Sequence, residues 1–267
     1  PRATIHEQIE RGIAILGPRQ GVDRFLAYFQ AGTNTHAPVE KLRRLFDEAV
    51  SHPRIVGLAI GTRPDSVPDP VLDLLQSYTS RLPVWLELGL QTIHDRSLDW
   101  MNRGHHADAY FDAVERCQGR GLDLCAHVIL GLPGESHEDM LATADALAAS
   151  PLQAVKIHNL YVVKNTPLEK MYHEGTVPLF SREEYVSLLC DFLERLPPEY
   201  IIHRLSGDAP HDYFVAPEWC LDKQGLIRAI DAELLRRESW QGKKWQPDAD
   251  RQGSLVKRKS LPLVVPG

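Results

Sequence analysis

The stretch AHVILGLPGES, residues 126–136, decides how the chain is read. Its first seven residues are apolar apart from one histidine, His127, and one glycine, Gly131. Pro133 then fixes φ and Gly134 permits φ > 0, which is turn chemistry. Ser136 and Asp139 have capping-box spacing ahead of a helix over 137–149. A buried strand that turns sharply into a capped helix is the repeating unit of a parallel sheet covered by helices.

Working outward, the same unit recurs. Ile5, Ile9, Ile13 and Leu16 share one face of a helix over 3–16. Strands follow at 24–30, 54–61, 83–91, 122–132 and 154–163, at intervals of roughly 30–40 residues. Helices at 38–50, 69–80 (with Pro70 in the first turn) and 95–120 fill the gaps. No G-x-G-x-x-G or P-loop follows a strand, which argues for a barrel, or part of one, over a nucleotide-binding open sheet. After 163 the alternation stops: 167–175 and 182–196 read as helical, 200–207 as one more strand, and 223–238 as a last helix. From about 240 the chain is rich in Gly, Pro and Lys without periodicity. The expected divisions are 1–165, a barrel; 166–240, a C-terminal helical extension; and 241–267, a loose tail.

Composition bounds the rest. The 267 residues are 43 % apolar and 25 % charged, so a sizeable core forms without staples. No apolar run reaches the length of a membrane span and no signal-peptide pattern opens the chain. The four cysteines, Cys117, Cys125, Cys190 and Cys220, match no zinc spacing and no disulfide framework. A reducing cytoplasm is the expected compartment, and no membrane partner is expected. The net charge of −6 argues against a generic polyanion binder. Residues 236–259 nevertheless carry eight basic and three acidic side chains, either a phosphate-touching segment or a solvated tail.

In parallel α/β folds, ligand sites form at the carboxyl ends of the strands. Gln30, Thr33, Asn34 and Thr35 follow the first strand, and Thr62, Arg63 and Asp65 the second. Glu87 and Gln91 lie on the third, with Asn102, Arg103 and His105 downstream. His127, Gly131, Pro133, Gly134 and Glu135 belong to the fourth, and His158, Asn159 and Lys164 to the fifth. Each has a structural reading: a hydrogen-bonded core histidine, a turn, a helix cap, an ion pair. Yet a carboxylate and an imidazole inside apolar strands need partners, because an unpaired buried polar group costs about 1–3 kcal/mol. Together they outline a small polar-ligand pocket.

The combination LELGLQT (86–92), NRGH (102–105) and CAHVILGLPGE (125–135) resembles the radical S-adenosylmethionine (SAM) superfamily. NRGH with AHVILGLP is similar to the radical SAM core of the elongator catalytic subunit, which modifies wobble uridines of tRNA. A closer resemblance is to the bacterial YhcC/YtqA-like family, carried by YFQAGTNTHAP (28–38), IVGLAIGTRPDSVPDPVLDLL (55–75), VWLELGLQT (84–92), NRGH, GLPGE and PEWC (217–220) in that order. The resemblance implies an α/β fold, a partial (β/α)6 TIM-like barrel of the radical SAM type. It also implies that the first strand and the cluster loop are absent, as in an N-terminally truncated chain.

The resemblance further implies a set of SAM contacts. The strand end at Gln30, Thr33, Asn34 and Thr35 would hold the methionine amino group through its backbone, and Arg63 ends the next strand. Gln91 would face the ribose and methionine. Arg103 would grip the SAM carboxylate with its planar fork. His127 would meet the ribose, beside Glu87, and the stretch with Gly131 and Pro133 would lie along the adenine.

SAM and a [4Fe–4S] cluster are the implied cofactors, but the chain has no C-x3-C-x2-C run and no wider three-cysteine group. Metal ligands are therefore expected upstream of Pro1, with none in the chain. The implied activity is reductive cleavage of SAM to a 5′-deoxyadenosyl radical followed by hydrogen abstraction, acting in tRNA wobble-uridine modification. The electron donor would be a flavodoxin or ferredoxin, and the chain alone is expected to be inactive. Two alternatives stand beside this: a cluster-free SAM- or RNA-binding scaffold, and a non-radical TIM-barrel lyase or hydrolase. The absence of H-x-H and H-E-x-x-H weakens a zinc site.

Overall fold

A computed structural model describes residues 3–207 and 209–246. In chain order the elements are α1 (Ile5–Gln20), β1 (Phe25–Phe29), α2 (Val39–Val50), β2 (Ile55–Thr62), α3 (Asp69–Thr79), β3 (Val84–Gln91), α4 (Asp95–Trp100), α5 (Ala107–Arg116), β4 (Asp123–Leu130), α6 (His137–Ala148), β5 (Ala154–Asn159), β6 (Val162–Val163), α7 (Pro167–His173), α8 (Arg182–Leu193), β7 (Ile201–Arg204), β8 (Phe214–Ala216) and α9 (Lys223–Arg236). Six strands form one sheet in the order β1-β2-β3-β4-β5-β7, the half-barrel arrangement that strand–helix alternation leads one to expect. The partial barrel with C-terminal helices is therefore the observed fold.

The chain divides into two compact units that interleave along the sequence. The first comprises 1–90, 104–127 and 152–154; the second comprises 91–103, 128–151 and 155–267.

In the first unit, β1 pairs in parallel with β2, and β2 with β3. Strands β2 and β3 are buried along nearly their whole length, as helix-covered parallel strands are. Alternate side chains point to one face, where Ala59, Trp85, Cys125 and Ala154 form an apolar cluster with Leu26 packed against it. On the helix side, Phe46 of α2 is fully buried and meets Phe29 and Tyr78 edge-on, with ring centroids 5.0 and 6.4 Å away. Helix α1 carries a complete capping box, Thr4 with Glu7, and ends at a left-handed Gly21. It runs to Gln20, beyond the expected 16, with Pro18 in its last turn and the Gly21 amide donating to the Gly17 carbonyl.

In the second unit, α8 packs on α6 and α9. The expected strand 154–163 is two strands. β5 stops at Asn159, and β6 pairs antiparallel with β8, a strand absent from the sequence reading. The break falls where the Asn159 side chain, 2 % exposed, bonds one adjacent and one distant backbone group. It donates to the Leu160 carbonyl (3.0 Å) and accepts from the Gly207 amide (2.9 Å). Among residues 242–244, the Gly242 and Lys244 amides donate to the Leu193 and Glu194 carbonyls. The rest of the expected tail, 247–267, with Arg251, Lys257, Arg258 and Lys259 of the basic segment, lies outside the described residues. Among the described residues no helix is long and apolar enough to cross a membrane.

Replacing Phe46 by Ala removes a fully buried ring between two aromatic neighbours. It is expected to lower stability by about 3–5 kcal/mol, read from urea unfolding followed by far-UV circular dichroism.

Candidate functional site

Strands β1, β3 and β4 each send one polar side chain into the same place in the first unit. The Tyr28 hydroxyl donates to Oε2 of Glu87 at 2.5 Å, and Nε2 of His127 lies 2.7 Å from that same oxygen. Glu87 is 3 % exposed, so its carboxylate has exchanged water for these partners. A carboxylate has only acceptors, so both partners donate to it. Cys125, two residues before His127 and on the same face of β4, belongs to the apolar cluster.

Other expected contacts sit close to the strand ends, and several are already engaged. After β1, Asn34 donates to the carbonyls of Phe29 (3.1 Å) and Gly61 (2.8 Å), tying the loop to the end of β2. Thr35 is buried; its hydroxyl meets that of Thr62 at 2.6 Å and donates to the Ser66 carbonyl at 2.6 Å. Both side chains therefore shape the loop, leaving its backbone to meet a ligand. Thr33 accepts at its carbonyl from the His36 amide. Gln30 is exposed and, with Asn34, borders an apolar groove of about 550 Å³ between α1 and β1. Arg63 holds Asp65 with both prongs of its fork and donates to the Gly104 carbonyl at 2.8 Å. That hydrogen-bonded guanidinium keeps the Asp65 carboxyl below its ordinary value. Gly104 has φ +76, and a Cβ there would stand 3.0 Å from the Arg63 guanidinium, so the residue type and the ion pair depend on each other.

In the second unit, Gln91 ends β3 in the left-handed conformation (φ +73). Arg103 is half-buried and its amide closes the α4 turn on the Leu98 carbonyl. Gly131 has φ +90, and a Cβ there would lie 3.0 Å from the Phe180 ring. This is a close approach that glycine alone permits without strain. Pro133 is half-buried in the turn that leads to α6. The predicted capping box is present: Ser136 and Asp139 bond each other's backbone amides. The sequence reading missed Tyr28 as a functional partner, although its parity with Leu26 in FLAYF places it on the inward face. It also missed the Asn159 tie, which includes a 3.0 Å contact to Cys220 Sγ.

Donor sets for metals follow from this geometry. Among the described residues, Glu87, Cys125 and His127 form the one group of three or more His, Cys, Asp or Glu donors, with ligand atoms within 4.8 Å of one another. Two ligands of one tetrahedral zinc ion stand about 3.3 Å apart. The 2.7 Å between His127 and Glu87 is instead the spacing of a hydrogen bond. This group contains a single cysteine. All four cysteines are buried, and burial pushes the Cys117 and Cys190 thiols up to about 11. A [4Fe–4S] cluster needs converging thiolates, so the chain's own cysteines do not fit one.

Comparison with known proteins agrees with this architecture. Residues 1–147 match the model of the radical SAM superfamily, and residues 152–236 match its C-terminal domain. The chain is 44 % identical over 223 residues to the uncharacterized protein YtqA of Bacillus subtilis, covering 84 % of this chain and 69 % of that one. It is 29 % identical over 171 residues to the tRNA uridine(34) acetyltransferase of Dehalococcoides mccartyi, covering 62 % of this chain and 36 % of that one. Its fold is similar to that of an archaeal Elp3 from Methanocaldococcus infernus, with TM-score 0.72, 19 % identity, and coverage of 89 % of this chain and 59 % of that one. The chain thus belongs to the radical SAM superfamily, within its YhcC/YtqA-like family.

Two outcomes follow. In the native protein no thiol should react with a bulky disulfide reagent at pH 8, whereas four should react in denaturant. Fast reaction of a native thiol would contradict the burial. Second, the Asp139 carboxyl is held down to about 2, first by the Ser136 backbone amide and then by Arg96. A lowered carboxyl stabilises the fold above its unfolded pKa and loses that contribution as pH falls. Asp139→Asn should therefore be less stable than the native chain at pH 7. The gap should close as pH falls toward about 2, as read by thermal melts across pH.

Proposed function

We propose that this chain is the SAM-binding part of a radical SAM enzyme. The observation that carries the reading is the Tyr28–Glu87–His127 set around the buried Glu87 carboxylate, built on three strands of a barrel whose family uses SAM. SAM supplies the family's radical chemistry when bound and reduced. The chain's own residues bind, orient and shield it.

Within the first unit, His127 meets the ribose beside Glu87. The backbone after Gln30, at Thr33, Asn34 and Thr35, receives the methionine amino group, next to Arg63. The resemblance assigns further contacts to second-unit residues: Gln91 to the ribose and methionine, Arg103 to the carboxylate, and Gly131 and Pro133 to the adenine. Because the chain's cysteines do not fit a cluster, the chain by itself binds SAM without cleaving it. The substrate class is a tRNA wobble uridine, supported by the similarity to tRNA uridine(34) acetyltransferases. A flavodoxin or ferredoxin serves as electron donor, and the compartment is the cytoplasm.

Calorimetric titration with SAM tests the reading. The native chain should bind one equivalent and, on reduction with dithionite, release no 5′-deoxyadenosine. Arg103→Ala should weaken binding by about tenfold or more, the loss expected for a hydrogen bond to a charged group. Absence of saturable SAM binding by the native chain, or unchanged affinity in the variant, would contradict the assignment.

A further inference from the structure

After α9 the second unit makes a tight turn, residues 239–246, that the site described above does not use. The turn is pinned to the end of α8. The Gln241 side chain donates to the Pro197 and Tyr200 carbonyls (2.7 and 2.9 Å), and the Lys244 ammonium pairs with the buried Glu194 carboxylate. Gly242 has φ +85, and a Cβ there would stand 2.8 Å from Pro198, so glycine alone fits without strain. A turn held this firmly presents its other side chains already ordered, which lowers the entropy cost of binding. Two of them are tryptophans. Trp240 is 60 % exposed, with the Lys243 ammonium 5.2 Å from its ring centroid. Trp245 is half-buried and, with Arg195, lines a cavity of about 200 Å³.

The charges around these rings are unequal. Arg236 and Arg237 bond Glu233, Arg237 also bonds Asp191, and Lys244 bonds Glu194, so these three cations are engaged within the fold. Lys243 is not: its ammonium donates to the Glu238 carbonyl and, among the described residues, meets no carboxylate. Arg195 holds Asp145 through Nη1 alone, at 2.8 and 3.0 Å, which leaves its Nε and Nη2 donors facing no acceptor among the described residues. The sequence beyond Gln246 adds Arg251, Lys257, Arg258 and Lys259 against Asp248 and Asp250. A flat ring beside an uncompensated cation matches the two parts of a nucleotide, a base and a phosphate. We propose that this turn is a docking surface for single-stranded RNA, with Trp240 and Trp245 stacking on bases and Lys243 and Arg195 meeting phosphates. The net charge of −6 confines such a contact to this patch. The inference deepens the proposed tRNA reading and rests on it for RNA as the polymer.

Fluorescence anisotropy with a labelled 12-nucleotide oligouridylate, titrated at several salt concentrations, tests the surface. The native chain should bind it saturably in 50 mM salt and bind a duplex RNA of the same length more weakly, because paired bases offer no stacking face. Trp240→Ala and Trp245→Ala should each weaken binding by about tenfold and leave the salt dependence unchanged, since stacking releases no counterions. Trp240→Phe, which keeps a ring, should recover most of the affinity. Lys243→Gln should lower the slope of log affinity against log salt by about 0.7, the worth of one phosphate contact on a single strand. Should Trp245→Ala fail to fold, Trp240→Ala and Lys243→Gln, both at exposed positions, still decide the matter.

Three results overturn the proposal: no saturable binding by the native chain, which would leave Trp240 as a protein-facing contact; native affinity in both tryptophan-to-alanine variants; or equal affinity for single-stranded and duplex RNA, which would mean charge attraction without stacking. The wider reading is separated by two controls. SAM affinity should be the same in Trp240→Ala as in the native chain, because the turn carries none of the proposed SAM contacts. An anticodon stem-loop with uridine at the wobble position is compared with one carrying cytidine there. Equal binding of the two, lost in Trp240→Ala, upholds the surface and counts against the wobble-uridine reading alone.

Discussion

A carboxylate inside a parallel sheet must be given partners, and in this chain that requirement falls on Glu87. Its neighbours toward the sheet's interior are apolar, with Trp85 two residues earlier in the buried cluster. An unpaired charge at such a depth neutralises or unfolds its surroundings. The pairing with Tyr28 and His127 therefore draws β1, β3 and β4 into one registered set, and the sheet's polar layer depends on it. The same pairing gives the site its chemistry, since a satisfied buried network holds its members rigidly.

Much of the fold was legible because two periodicities are written strongly in the chain. Strands β1 to β4 fall within two residues of the stretches read from apolar runs. Helices α2, α3 and α6 follow from amphipathic spacing, Pro70 and the Ser136–Asp139 box. What escaped was non-local. The split between β5 and β6 is set by Asn159 reaching Gly207, 48 positions away, and β8 is a three-residue strand that exists only through its pairing with β6. No local pattern carries such information.

The candidate site was legible in outline and not in its wiring. Parity along β3 and β4 singled out Glu87 and His127 as polar residues inside apolar strands, and the structure joins them. Tyr28 was hidden because tyrosine in an apolar strand reads as core, and its hydroxyl's destination lies 59 residues away. Asn34 and Thr35 stand where the resemblance implies backbone contacts, and their short side chains hold backbone carbonyls and a neighbouring hydroxyl, the backbone partners that such residues favour. The four cysteines illustrate a different limit. Their spacing excluded a cluster motif, all four are buried, and burial raises the Cys117 and Cys190 thiols so that these stay protonated.

The central claim is that the Tyr28–Glu87–His127 set, with Glu87 buried, is the sugar-facing part of a nucleoside cofactor site. The most direct test is a crystal structure of the chain with S-adenosylhomocysteine. The account predicts a ribose hydroxyl within hydrogen-bonding distance of His127, with Nε2 still on Glu87. A ligand bound elsewhere, or a ribose turned away from His127, would contradict it.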